Sequence, residues 1–349
     1  MRRRPVPTEQ PRALAPAHAR RTLAVTALAL ALAGCAGTAQ DPAAEPAEAS
    51  ATPTEEAGYP LTLDNCGVEV TLDAAPERIV TIKSSATELA LALGAGDRIV
   101  GTGFPDGPAP DDLADQAEAL PLLSDRVPAA EVVLEAQPDL VWAGWESNLT
   151  AEGAGDRATL ADLGVATYVS PSACKDPAYR PDPLTFDDVF AHLTEAAAVL
   201  GVPEAGEQLV AEQQEALADV EPDDRGLTAL WYSSGTDVPY VGAGIGAPQM
   251  LLEAVGLTNI AAGVEDTWAS FSWEQVAQDD PDVIVLVDSA WNSAEQKKEL
   301  LATSPATANL TAVREGRYLV VPFAASEAGV RNVEAAADLA EQLAALEVG

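Results

Sequence analysis

A lysine and two serines follow a strand-like run and form the first candidate site for chemistry. Lys83, Ser84 and Ser85 come directly after the apolar run 79–82, and Ser85 with Glu88 predicts a capping box at the start of a helix. The free N–H groups of a helix N-terminus, beside an ammonium group, favour binding of a carboxylate or phosphate. We therefore expect the anionic group of a ligand at Lys83. The alternative is an ordinary turn from strand to helix with a solvated lysine.

Aromatic and polar side chains follow the other strand-like runs in the same way. In open α/β sheets a ligand lies at the carboxyl ends of the strands, and aromatic residues there suit a large, flat or partly apolar ligand. For any single tryptophan, packing inside a core is an equal alternative. With the residues above, the predicted cleft residues are Phe104, Arg126, Trp145, Glu146, Asn148, Trp231, Tyr232, Tyr240, Trp268, Trp291, Phe323 and Arg331.

One unit of sequence occurs twice. Glu131 and Glu274 are each followed seven residues later by Pro-Asp and then by an apolar run, at 140–143 and 283–287. Each unit predicts a short helix, a turn and a buried strand. Two lobes built alike, each presenting one glutamate at the same place, suit docking onto a partner with two-fold symmetry. The alternative is that both glutamates are solvated charges on helices.

The sequence argues against an enzyme. Its two histidines are His18 and His192, and it contains no Gly-x-Ser-x-Gly element. Zinc or manganese binding and Ser-His hydrolysis both need histidines in suitable positions, so we expect no catalytic residues, no metal site and no cofactor. Gly242-x-Gly244-x-Gly246 lacks the lysine of a phosphate loop and predicts a close-packed turn before a helix.

The N-terminus predicts export and lipid anchoring. Arg20 and Arg21 precede an apolar run that is too short to span a bilayer and ends in Leu-Ala-Gly before Cys35. This pattern is typical of a lipoprotein signal over residues 1–34, so Cys35 is expected to carry the lipid on the extracytoplasmic face of the membrane. A plain secretory signal is the alternative, and Sec and twin-arginine export both stay open. Residues 35–58 would then form a lipidated, flexible tether.

Charge and cysteine content restrict the partners further. The chain has 55 Asp+Glu against 19 Lys+Arg and a formal net charge of −36, which argues against a nucleic-acid partner. Apart from Cys35 the cysteines are Cys66 and Cys174. In an oxidising exterior this pair predicts one disulfide, with two buried thiols as the alternative. We expect a monomer.

Strand-like and helix-like runs alternate, which predicts an α/β protein whose lobes have mainly parallel sheets. The expected lobes are residues 59–184 and 223–349, with the cleft between them and a helical linker over 185–222. Thr185 and Asp188 predict a capping box at the start of that linker, and its rigidity predicts small closure motions. The predicted strands are 79–82, 99–102, 140–143, 166–169, 227–231, 283–287 and 319–321.

The sequence resembles the cobalamin- and siderophore-type periplasmic binding proteins of ABC importers over about residues 59–345. In that family one glutamate on each lobe meets arginines of the two permease subunits, and the resemblance gives those positions to Glu131 and Glu274. The implied partners are a small-molecule ligand, a permease dimer with its cytoplasmic ATPase, and the membrane through the lipid. The segments that carry the resemblance are 76–80, 87–89, 93–94, 97–101, 131–141, 256–260 and 272–276.

A narrower resemblance concerns the ligand. Segments 145–149, 171–175 and 183–188 are similar to a subgroup proposed to bind a deazaflavin precursor of coenzyme F420. That ligand is planar with an anionic phosphate and carboxylate tail, which loop aromatics and Lys83 would suit. Cobalamin, haem and iron–siderophore ligands remain alternatives. A membrane-anchored ligand sensor without transport is the alternative of another class.

Overall fold

The computed structural model describes residues 58–348. The expectations for the signal, for Cys35 and for almost all of the tether lie outside these described residues. Within them, no helix combines the length and the apolar run that crossing a bilayer requires.

The first lobe is built on a parallel sheet. The chain enters it through an antiparallel hairpin of β1 (Leu61–Asn65) and β2 (Val68–Leu72), which the sequence did not predict. The sheet contains, in spatial order, β5 (Leu122–Ser124), β4 (Ile99–Gly103), β3 (Ile79–Ile82), β6 (Leu140–Ala143) and β7 (Ala166–Val169). Its helices are α1 (Ser84–Ala92), α2 (Ala114–Glu118), α3 (Ala130–Glu135) and α4 (Arg157–Asp162). Every residue of β3 and β6 is buried, as expected for central parallel strands covered on both faces.

Two helices follow the first lobe. In α5 (Phe186–Val199) the Thr185 hydroxyl accepts from the Asp188 N–H at 3.2 Å, and the Asp188 carboxylate accepts from the Thr185 N–H at 2.9 Å, so the predicted capping box is confirmed. Helix α6 (Pro203–Ala218) begins at a proline, which needs no N–H partner there. A Cβ at Gly206 would lie 2.3 Å from the Ala197 Cβ, so glycine allows these two helices to pack closely.

The second lobe has a six-stranded mixed sheet. Its main path is β11 (Trp268–Ser270), β9 (Tyr240–Gly242), β8 (Thr228–Ser234), β12 (Val283–Asp288) and β13 (Tyr318–Pro322), with β10 (Thr258–Asn259) paired to the start of β8. Strands β9 and β11 are antiparallel to their neighbours, and the remaining pairs are parallel. Its helices are α7 (Ala247–Ala254), α8 (Trp273–Asp279), α9 (Ala294–Thr303), α10 (Thr311–Glu315) and α11 (Asn332–Ala344). The prediction of two α/β lobes with mainly parallel sheets is confirmed.

The repeated sequence unit has the same structure in both lobes. Helix α3 leads through the Pro-Asp turn into β6, and α8 leads through the matching turn into β12. The Asp139 carboxylate accepts from the N–H groups of Glu77 and Arg78, at 2.8 and 3.0 Å, just before β3. The Asp282 carboxylate accepts from the Thr228 N–H at 2.9 Å, at the start of β8. Each aspartate therefore fixes the entry of the strand beside its own.

The predicted disulfide is present. Cys66, in the turn between β1 and β2, is bonded to Cys174, with a Cα–Cα distance of 5.3 Å. It fastens the hairpin to the segment that follows β7, which contains the 3-10 turns Pro171–Ala173 and Pro177–Tyr179. This segment forms part of the candidate site.

Candidate functional site

A cavity of about 470 Å³ opens between residues of the two lobes. Its first-lobe wall comes from the loop after β6 and from the segment 172–181. Its second-lobe wall comes from β9, the start of α7, the start of β11 and the loop after β13. Four of the aromatic residues predicted from the sequence line it: Trp145, Tyr240, Trp268 and Phe323.

Tyr240 and Trp268 form a stacked aromatic pair in the second-lobe wall. They lie on the neighbouring antiparallel strands β9 and β11, two positions out of direct register, which places them on one face of the sheet. Their rings are 6.2 Å apart between centroids and only 13° from parallel. A planar ligand can stack on such a pair of rings.

Lys83 lies under an aromatic cluster that both lobes contribute. Its ammonium nitrogen is 3.9 Å from the ring centroid of Trp145, 4.4 Å from that of Phe104 and 4.8 Å from that of Phe323. The side chain is fully buried and forms an ion pair with the equally buried carboxylate of Asp106. Cation–π contacts of this kind are strongest when the cation has lost its water.

The start of α1 differs from the prediction. The helix begins at Ser84, Lys83 is its N-cap residue, and no side chain caps it, so Ser85 and Glu88 do not form a capping box. The anion at this helix N-terminus belongs to the chain itself. The Asp106 carboxylate accepts from the Ser84 N–H at 3.2 Å, and the Ser84 hydroxyl accepts from the Asp106 N–H at 2.9 Å. Burial raises the pKa of Asp106, while the Lys83 ammonium acts in the opposite direction.

The backbone around Lys83 is held in conformations that non-glycine residues rarely adopt. Lys83 has φ 82° and Phe104 has φ 54°. Gly144 makes room for this arrangement, because a Cβ there would lie 2.8 Å from the Lys83 Cβ and 2.7 Å from the Ser85 Oγ. Strained residues persist where the surrounding contacts determine their position, as they do here.

Two polar contacts join the lobes beside the cavity. The Trp145 indole N–H donates to the Glu327 carboxylate at 2.5 Å. The Arg331 guanidinium donates twice to the Glu88 carboxylate, at 2.6 Å each, and once to the Pro108 carbonyl at 2.8 Å. Burial raises the pKa of both Glu88 and Glu327, with Arg331 and Lys83 respectively opposing the rise.

Trp231 and Tyr232 lie in the core rather than in a loop. The sequence placed the end of their strand at Trp231, but β8 continues to Ser234. Both side chains are buried, because successive residues of a central strand face the two covered sides of the sheet. The Tyr232 hydroxyl donates to the Gly235 carbonyl at 2.7 Å.

The remaining predicted residues occupy different positions around the site. Ser85 and Asn148 are buried, while Arg126 is exposed. The Glu146 carboxylate accepts from the Lys175 backbone N–H at 2.5 Å and so holds the segment after β7. Trp291 is exposed on one side and lies 5.3 Å from Phe323 and 6.5 Å from Phe104 between ring centroids.

Several cavity residues were missed at the sequence level, above all Lys175, Arg180 and Glu327. Lys175 and Arg180 lie in an irregular segment without periodic pattern, so no strand end marked them. The feature of the sequence that could have identified them is the scarcity of basic residues in the chain. Among residues 58–348, no group of three His, Cys, Asp or Glu side chains is arranged to hold a metal ion.

Comparison with known proteins gives consistent results. The profile of a family described as periplasmic binding protein matches residues 79–325. An uncharacterised ABC transporter substrate-binding lipoprotein of Bacillus subtilis is 25% identical over 82% of this chain and 86% of its own length. A cobalamin-binding protein of Halobacterium salinarum is 28% identical over 86% of this chain and 77% of its own. The crystal structure of an ABC-type Fe3+-hydroxamate transport protein from Saccharomonospora viridis has a TM-score of 0.70 and 27% identity, over 82% of this chain and 100% of that one.

Proposed function

This chain belongs to the periplasmic binding protein family, and from that we propose that it captures a medium-sized, partly aromatic or anionic ligand and delivers it to an ABC permease. The proteins of this family that it matches are transport proteins and not enzymes. The observation that carries the proposal is the cavity of about 470 Å³, whose walls come from both lobes and contain four aromatic rings.

For the ligand we propose a deazaflavin precursor with an anionic tail. The parallel rings of Tyr240 and Trp268 suit a planar ring system, and basic residues in the same cavity suit the tail. The relatives named above favour cobalamin or an iron–hydroxamate as alternatives. Mass spectrometry of small molecules that co-purify with the detergent-extracted full chain tests this. Cobalamin or a siderophore in place of a deazaflavin would contradict the proposed ligand.

For the partner we propose that Glu131 and Glu274 dock onto the two permease subunits. Both are exposed, and each is the second residue of its helix in the repeated unit. Among the described residues the Glu131 side chain forms no hydrogen bond or ion pair, while the Glu274 carboxylate accepts only from the nearby Ser272 hydroxyl, at 3.0 Å. Charge pairs across an interface mainly set specificity and the rate of encounter.

Substitution by arginine tests the docking role. We expect Glu131→Arg and Glu274→Arg each to reduce uptake at least roughly tenfold, because each places a like charge against a permease arginine. Ligand affinity measured by calorimetry should stay unchanged. Glu215→Arg, an exposed glutamate of α6, is the control for the charge change alone. Uptake that survives both substitutions would exclude docking through these residues, whereas an unmodified chain that supports no uptake would favour a sensor without transport.

For the location we propose the extracytoplasmic face of the membrane, with the lipid on Cys35. The similar Bacillus subtilis protein is named a lipoprotein. Membrane fractionation of cells producing Cys35→Ser tests the anchor, and an unchanged membrane fraction would exclude it.

A further inference from the structure

Basic residues without an internal partner are rare in this chain. Six of its 19 Lys+Arg residues lie in the first 21 positions, which leaves 13. Ten of those 13 side chains form hydrogen bonds or ion pairs with other parts of the described residues. The three that do not are Arg126, Lys175 and Arg180.

Two of these three basic residues without an internal partner line the cavity between the lobes. Lys175 and Arg180 both belong to its first-lobe wall. The Arg180 side chain is half-buried, and its Nε is buried without a hydrogen-bonding partner. A buried guanidinium N–H without a hydrogen-bonding partner in the protein is unfavourable, and an oxygen atom of a ligand in the cavity could supply that partner.

The segment that carries them is fixed in place. Lys175 directly follows Cys174, which the disulfide joins to the hairpin, and its own N–H donates to the Glu146 carboxylate at 2.5 Å. Arg180 follows the 3-10 turn Pro177–Tyr179, in which the Ala178 N–H donates to the Asp176 carboxylate at 3.0 Å. The two charges are thus held at the cavity wall, where neither forms an ion pair with a carboxylate of the described residues.

We propose that Lys175 and Arg180 form the anion-binding subsite of the cavity and hold the phosphate or carboxylate of the ligand. The inference rests on the proposed function and moves the anionic end of the ligand away from Lys83, whose charge Asp106 already neutralises. The guanidinium of Arg180 can bond two oxygens of one anion, and the ammonium of Lys175 supplies a mobile second charge. The planar part of the ligand then lies toward Tyr240 and Trp268.

Glu327 sets the direction of the ligand within the cavity. Its carboxylate is in the same lining, where it accepts from the Trp145 indole. An anion beside it would be repelled, whereas a hydroxyl or ring N–H could donate to its second oxygen. The acid and the two bases therefore favour a ligand with a hydrogen-bond donor at one end and an anion at the other.

Two deazaflavins that differ only in the anionic tail test the subsite. Calorimetry on the full chain in detergent compares the deazaflavin with a phosphate and carboxylate tail and the same deazaflavin ending in its hydroxyl chain. We expect Lys175→Gln and Arg180→Gln each to weaken the tailed form roughly 10- to 100-fold, since a hydrogen bond to a charged group is lost. Affinity for the tailless form should change less than about threefold.

Two further variants control the experiment. Lys298→Gln removes a charge from α9 that pairs with Glu295 outside the cavity, and it should leave both affinities unchanged. Arg180→Lys keeps the charge without the planar fork and should bind the tailed form with intermediate affinity. Equal weakening of both ligands, or no weakening of either, overturns the subsite. Failure of both deazaflavins to bind the unmodified chain overturns it together with the proposed ligand, while the uptake test on Glu131 and Glu274 still decides the transport function.

Discussion

At the scale of single residues, the ion pair of Lys83 and Asp106 organises the aromatic end of the site. The Asp106 carboxylate accepts from the first N–H of α1, and the Lys83 ammonium contacts three aromatic rings. The rings of Phe104 and Trp145 belong to the first lobe, and that of Phe323 belongs to the second. Neither residue lines the cavity. The pair therefore acts on the cavity only indirectly, by holding the aromatic residues of its wall in position.

Removing one partner of this pair should be costly. We expect Lys83→Met to lower the free energy of unfolding by about 3–5 kcal/mol, because it leaves the Asp106 carboxylate buried without a counter-ion. Adding Asp106→Leu should recover much of that loss, since the buried charge is then removed as well. Urea denaturation of the two variants and of the Lys298→Met control measures these changes. Equal stability of Lys83→Met and the unmodified chain would contradict the role of the pair.

At the scale of helices and strands, the sequence pattern predicted those elements whose formation depends on neighbouring residues alone. The strands 79–82, 140–143 and 166–169 have the predicted bounds, because an apolar run between turn signals decides a buried parallel strand. Capping of α5 by Thr185 is equally local. Strands β5, β9 and β11 are only three residues long and carry too little pattern to be recognised.

Contacts between residues far apart in the sequence could not be predicted from local sequence patterns. Ser85 and Glu88 have the spacing of a capping box, but Arg331 from the other lobe takes the Glu88 carboxylate. In the same way, Lys83 had the sequence context of a ligand contact, and only the folded chain brings Asp106 to it. The aromatic lining of the cavity was therefore predictable in part, through Trp145, Tyr240, Trp268 and Phe323, and its charged residues were not.

Helix α5 carries a histidine that makes stability depend on pH. His192 is buried, its ring lies 6.2 Å from that of Tyr168, and burial lowers its pKa to about 4. The unfolded chain binds a proton near the ordinary value of about 6.5, so the folded state loses stability as pH falls from about 6.5 to about 4. The full loss amounts to about 3 kcal/mol.

Comparison with His192→Leu isolates this contribution from that of the carboxylates. We expect the unfolding free energy of the unmodified chain to fall by about 3 kcal/mol more than that of the variant between pH 7 and pH 4. Denaturant titrations at several pH values measure the difference. Parallel pH profiles for the two proteins would show that His192 does not determine the pH dependence of the unfolding free energy.

At the scale of the whole molecule, the buried pair of Arg331 and Glu88 joins elements of the two lobes. Arg331 precedes α11 of the second lobe, and Glu88 belongs to α1 of the first. Together with the bond from Trp145 to Glu327, the pair fixes the lobes beside the cavity. We expect such contacts, together with helices α5 and α6, to keep closure motions small.

A double-mutant cycle measures how far this pair couples the lobes. Arg331→Met alone should lower the unfolding free energy by about 3–5 kcal/mol, and Glu88→Leu together with Arg331→Met should bring it back close to the original value. Guanidinium denaturation provides the four free energies. Additive effects of the two substitutions would show that the pair contributes no coupling.

The negative charge of the whole molecule also affects how fast an anionic ligand would reach Lys175 and Arg180. With a net charge of −36, the molecule repels an anion at long range, while Lys175 and Arg180 attract it only near the cavity wall. Dissolved salt screens charges beyond about 8 Å at physiological ionic strength. Added salt therefore removes the distant repulsion before it weakens the close attraction, and an anionic ligand associates faster as ionic strength rises from low values. If the ligand carries the proposed anionic group, we expect its association rate to increase with moderate ionic strength.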